Sequence, residues 1–225
     1  MNLFMQGMRR SGTTIVFDAL SRDPRFDAWY EPFSAGREGA MGGGSGIQQV
    51  DLMDRIRDHR LRFITEERLD LDPDAFNHGA PRDPAVELES TLPETHIRYV
   101  RRMTEAAERS VFKFTRMYCK IPEFNRIAPD SVLAVLVRHP QEVVASYLYG
   151  RDQRRADKFP DADTFFGRAS SANPWNARRF VERIAEVESR PELLEEPDWR
   201  QFLALWEFTC RQTMEGARAA FDGRF

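Results

Sequence analysis

The chain has 225 residues, 41% of them apolar and 31% charged, with a formal net charge of −3. That length builds one sizeable core, and the balance is that of a globular protein rather than a disordered or fibrous one. The slight negative charge argues against nucleic acid as a partner. No apolar run approaches the roughly 20 residues that span a bilayer, and no signal peptide precedes the first apolar segment, so a cytoplasmic protein is expected, its oligomeric state open.

The first apolar segment, 2–7, predicts a strand. It runs into Met8-Arg9-Arg10-Ser11-Gly12-Thr13-Thr14, and a helix follows to about Ser21. A strand, a turn carrying Gly, Arg and Ser, and a helix start together form a phosphate cradle. Backbone N–H groups at the helix start point at the anion, hydroxyls add donors, and Arg9 and Arg10 supply charge. Gly7 and Gly12 have the spacing of a Walker-type loop, but Thr13 stands where that motif has its Lys. A triphosphatase would lose its main contact to the transferred group there. An ordinary strand–turn–helix remains the bland alternative.

A short strand at 27–31 places Glu31 at its end, ahead of Pro32 and Phe33. The Gly-rich stretch 36–46 reads as a flexible loop or a flap over a ligand. Segment 47–109 reads as a helical insertion broken at Pro81-Arg82-Asp83-Pro84. The alternating strand at 110–115 carries Lys113 near its end, as a ligand-facing group or as a snorkelling edge Lys. The continuous apolar run within 131–138 predicts a buried parallel strand ending in Arg138-His139-Pro140. Ser146 follows about two helical turns on, so a strand-end Arg and a helix Ser could converge on one anion. Residues 198–221 predict a long amphipathic helix with Trp199, Phe202, Leu203, Trp206, Cys210 and Met214 as its core stripe. Cys119 and Cys210 read as buried thiols. His59, His78, His96 and His139 have no metal-ligand spacing, so no metal is expected.

From its first strand through Arg151 the chain resembles the PAPS-dependent sulfotransferase family, whose donor is 3′-phosphoadenosine 5′-phosphosulfate (PAPS). Arg10-Ser11-Gly12-Thr13-Thr14 is similar to the family's 5′-phosphosulfate loop. Arg138-His139-Pro140 with Ser146 is similar to its 3′-phosphate site. The Arg before Ser-Gly-Thr, and Tyr30-Glu31-Pro32, look more like the carbohydrate and tyrosylprotein branches than the cytosolic phenol and steroid branch. That branch carries Lys-Thr-His near Lys113, and this chain has no His there. The resemblance implies an α/β fold with a central parallel sheet flanked by helices, forming a single sulfotransferase-like domain over 1–225. It implies an enzyme that moves a sulfuryl group to an acceptor hydroxyl of a small molecule or glycan, leaving adenosine 3′,5′-bisphosphate (PAP). Arg9, Arg10, Ser11, Gly12, Thr13, Thr14, Arg138 and Ser146 would bind the donor, and Arg10, Lys113 and Glu31 would serve the chemistry. Glu31 would accept the hydroxyl proton as general base; alternatively it pairs with an Arg. The family region containing Phe159, Phe165 and Phe166 contributes to acceptor binding. The family also continues past Asp222-Gly223-Arg224-Phe225 with a strand and a loop over the donor, so a truncated or short form is expected. A P-loop nucleotide kinase and a non-catalytic nucleotide-binding module are the remaining readings.

Overall fold

Four parallel strands form the sheet of the computed structural model, which describes residues 1–33, 48–71, 84–148 and 177–225. The Gly-rich stretch 36–46, His78, most of the 81–84 break and segment 151–174 lie outside the described residues. The strands are β1 (Asn2–Gly7), β2 (Asp27–Tyr30), β3 (Ser110–Phe114) and β4 (Val132–Leu136), in the spatial order β2-β3-β1-β4. The helices are α1 (Thr13–Ser21), α2 (Gln48–Glu66), α3 (Pro84–Leu88), α4 (Glu94–Glu105), α5 (Ile121–Ile127), α6 (Pro140–Leu148), α7 (Ala177–Val187) and α8 (Asp198–Phe221), with a short 3₁₀ helix at Pro191–Glu195 between the last two. This is the α/β architecture expected from the alternation of apolar strands and amphipathic segments.

Both faces of the sheet are covered, which is why the central strands carry few polar residues. On one face Phe4, Phe112 and Phe114 pack with Phe124 of α5 and with Ile97, Tyr99 and Val100 of α4. Phe4 stacks on Phe124 at a centroid separation of 4.6 Å, and Phe114 approaches the same ring at 4.8 Å. On the other face Met5, Ala28 and Val111 pack against Phe17 of α1. The period-two alternation sends Lys113 to this second face. Its register partners are Met5 on β1 and Tyr30 on β2. β3 is an interior strand, and Lys113 is 3% exposed. The reading of Lys113 as a snorkelling edge residue is therefore incorrect.

α8 also departs from expectation. Phe202 is buried, but Trp199 is 62% exposed and Leu203 is exposed, while Trp206, Cys210 and Met214 are half-buried. The buried positions are instead Leu205, Phe208, Thr209, Thr213, Ala217 and Phe221. The helix serves two cores. Its first half packs on Phe180 and Ile184 of α7, and its end packs on Ile121 and Phe124 of α5. Serving two partners turns the buried stripe as the helix proceeds. Burial pushes the Cys119 thiol up to about 12 and the half-buried Cys210 thiol up to about 11, so both stay protonated at neutral pH.

Candidate active site

The loop after β1 is shaped by two glycines. Gly12 caps α1 from the left-handed region at φ 95°, which a glycine adopts without steric cost. Arg10 also lies there, at φ 70°, and the Ser11 N–H closes the turn onto the Met8 carbonyl at 3.0 Å. With Gly12 left-handed and the helix beginning at Thr13, the N–H groups of Thr13 and Thr14 have no helical acceptor, the feature by which helix starts receive anions. Thr13 is buried, and the Ser11 hydroxyl oxygen is buried without a hydrogen-bond partner. At Gly7 a Cβ would lie 2.6 Å from Ser11 Oγ and 2.7 Å from the Leu136 carbonyl oxygen. The backbone of β4 therefore closes the cradle from behind. Gly7→Ala is expected to destabilise the protein by about 1–3 kcal/mol through overpacking against a backbone atom that cannot step aside. Chemical denaturation checks the loss.

The loop after β4 lies beside this one because Gly7 is in register with Leu136. Arg138 donates from a terminal guanidinium nitrogen to the Arg10 carbonyl at 3.2 Å and from Nε to Glu142 Oε2 at 2.8 Å. Its guanidinium holds the Glu142 carboxyl below the usual range. From the far side, the Trp206 indole N–H of α8 donates to the Arg138 carbonyl at 2.9 Å. The two segments singled out in the sequence, 128 residues apart at Arg10 and Arg138, thus meet at one end of the sheet. Ser146 is half-buried on α6, and no contact joins it to Arg138 among the described residues.

The third group is built by neighbouring strand ends. Glu31 follows β2 and turns off at φ 47°, a left-handed conformation rarely adopted by residues with side chains. Its N–H still donates to the Lys113 carbonyl at 2.9 Å, continuing the β2–β3 ladder by one bond. Its side chain lies against β3, where Lys113 Nζ donates to Oε1 at 2.6 Å and Thr115 Oγ1 donates to the same atom at 2.7 Å. The partner of Glu31 is thus a Lys rather than the Arg of the alternative reading. The Lys113 ammonium also sits 4.2 Å from the centre of the Tyr30 ring, a cation–π contact. The Tyr30 hydroxyl is 3.5 Å from Thr14 Oγ1 in the first turn of α1. Tyr30 therefore bridges α1 and the Glu31–Lys113 pair.

Two members of this arrangement were not picked out as site residues in the sequence. Thr115 shares a face with Lys113 by simple alternation, and that signal could have found it. Trp206 had no such signal, because its partner is a backbone carbonyl in a distant segment. Among the described residues, no group of His, Cys, Asp and Glu could hold a metal ion, and no helix is long and apolar enough to cross a membrane.

A phosphate-type loop, a basic residue after β4 beside it and a Lys–Glu pair are thus gathered at the C-terminal ends of the parallel strands. The model of the sulfotransferase family matches residues 2–189, spanning all four strands and both phosphate-type segments. No characterised protein and no solved structure matches the chain. The match covers well over half of the sequence, and the chain belongs to the sulfotransferase family.

Proposed function

We propose that the protein transfers a sulfuryl group from PAPS to an acceptor hydroxyl, with a glycan or glycoconjugate as the candidate acceptor. The hydrogen bond from Arg138 to the Arg10 carbonyl carries this reading, because it joins the two phosphate-recognition segments into one site. The cradle fits a phosphosulfate: its hollow is closed where a Cβ at Gly7 would collide, and the Ser11 hydroxyl is buried without a partner. Arg9, Arg10, Ser11, Gly12, Thr13 and Thr14 would hold the 5′-phosphosulfate, and Arg138 and Ser146 the 3′-phosphate. Thr13 at the Walker Lys position argues against a nucleotide kinase.

In this reading Glu31 takes the proton as the acceptor O–H bond breaks, and the freed electron pair forms the new oxygen–sulfur bond. The sulfur–oxygen bond to the 5′-phosphate breaks, and its pair stays on the phosphate oxygen. Arg10, the loop N–H groups and Lys113 stabilise that developing charge. One Lys113 N–H is directed to Glu31 and the ammonium rests on Tyr30, leaving donor capacity for the leaving oxygen.

Calorimetry with PAP against ATP–Mg²⁺ tests the donor, and PAP is expected to bind while the triphosphate does not. Arg138→Ala is expected to weaken PAP roughly tenfold, about 1.5 kcal/mol, the lower end for a charged hydrogen bond because the residue is partly exposed. Adenosine 5′-phosphate should be nearly unaffected. Equal losses for both nucleotides would remove Arg138 from the 3′-phosphate. Transfer of labelled sulfate from PAPS to 4-nitrophenol and to the 4-nitrophenyl glycosides of galactose, glucose, N-acetylglucosamine and glucuronic acid tests the acceptor class. Transfer to glycosides in preference to 4-nitrophenol is expected.

A further inference from the structure

We propose that Thr115 is a positioning residue that fixes which oxygen of Glu31 accepts the proton; the inference rests on the reading of Glu31 as the general base. Lys113 Nζ and Thr115 Oγ1 donate to the same atom, Oε1, at 2.6 and 2.7 Å. Oε2 has no donor among the described residues. The carboxylate is therefore divided into an anchored oxygen and an available one. Both anchors are buried: Lys113 is 3% exposed on β3, and Thr115, one residue past the end of that strand, is 7% exposed. The backbone of Glu31 is fixed as well, by its left-handed φ and its N–H bond to the Lys113 carbonyl.

A single Lys contact would not accomplish this. An ammonium on a flexible stem can follow a rotating carboxylate and bridge both of its oxygens, leaving neither reserved for the substrate. The Thr115 hydroxyl comes from a second, fixed direction. It stops that rotation and keeps Oε2 turned away from the pair. Holding the base in its productive orientation lowers the barrier without adding affinity for either substrate, so losing it should appear in kcat rather than in KM.

The test uses the full chain and four variants: Thr115→Val, which keeps shape and removes the hydroxyl; Thr115→Ser, which keeps the hydroxyl; Thr115→Ala, in case valine is not accommodated; and Glu31→Gln. Turnover is followed with labelled PAPS and whichever 4-nitrophenyl glycoside the wild type uses fastest, and the Thr115→Val protein is crystallised. Thr115→Val or Thr115→Ala should lower kcat roughly tenfold with both KM values within about twofold. The acid limb of the pH–rate profile should move to higher pH. Thr115→Ser should restore most of the rate, and the Thr115→Val crystal structure should show Glu31 rotated about its terminal bond. If Glu31→Gln is inactive while Thr115→Val and Thr115→Ala turn over within twofold of wild type, the positioning role is overturned and the base assignment survives. If Glu31→Gln keeps its activity, the base assignment fails and this inference fails with it. A carboxylate that stays in place in the Thr115→Val crystal structure would also overturn the proposal.

Discussion

Glu31→Gln is expected to lower turnover by roughly 10²–10⁴, the usual contribution of a general base, while leaving PAP affinity nearly unchanged. The substitution preserves the size of a side chain that is 16% exposed, and its amide oxygen can still accept the bonds from Lys113 and Thr115. What it removes is the capacity to take a proton. The wild-type rate should fall at low pH as a carboxyl protonates, and the variant should lack that limb. The competing reading makes Glu31 only a structural partner of Lys113. It predicts the opposite pattern, with a lower melting temperature and most of the activity retained. Initial rates and thermal denaturation on the same preparations separate the two.

The largest stability effect is expected at Glu87. This residue of α3 is 1% exposed and accepts from Arg116 and from the Tyr118 hydroxyl. Beside it, Lys120 donates to the carbonyls of Val86, Glu87 and Glu89 at 2.9, 3.0 and 2.6 Å. Glu87→Ala removes the carboxylate that Arg116 and the buried Tyr118 hydroxyl both bind, and should cost about 3–5 kcal/mol, on the order of 10 °C in melting temperature. Burial pushes the Glu87 carboxyl above its ordinary value, outweighing the pull of Arg116. Between the unfolded and folded values the native state therefore holds more protons than the unfolded one. The stability contributed by this group is fully present below the unfolded value near 4.5 and is lost as pH rises through the folded one. Glu87→Gln should remove that slope. Urea denaturation of the wild type and Glu87→Gln across pH 4–8 is expected to show the difference between them shifting in favour of the variant as pH rises. A constant difference would mean that Glu87 binds its proton equally well folded and unfolded, and that burial does not raise its carboxyl.

Much of the arrangement of the two loops was legible in the sequence because its parts are local. Gly7, Ser11 and Gly12 lie within one strand–turn–helix, and Arg138 ends an unmistakable apolar strand. Their meeting required only that the two strands be neighbours. The Glu31–Lys113 pair was less legible because it depends on strand order. Lys113 looks the same in a sequence whether its strand is interior or edge, and only the placement of β3 between β2 and β1 buries it. The role of Thr115 depends in turn on Glu31 leaving β2 in a left-handed conformation, for which no glycine gives a signal. α8 was misread for a related reason. Periodicity reports one apolar stripe, whereas a helix with two partners buries Thr209 and Thr213 and leaves Trp199 in solvent.

The position of β1 in the sheet also bears on how the protein is made. Its two partners in register, Ser110–Phe114 and Val132–Leu136, come much later in the chain. At roughly 5–20 residues per second, a ribosome leaves Leu3, Phe4 and Met5 without either neighbouring strand for several seconds. During that time the future centre of the sheet is an unpaired apolar segment, open to chaperones or to other nascent chains. α1 can form early as a local helix, but the cradle between it and β1 cannot close until the Leu136 carbonyl arrives behind Gly7. The cradle is thus completed only after β4 has followed the loop out of the ribosome. Yield in a cell should accordingly depend on translation speed and chaperone supply more than the stability of the finished protein would indicate.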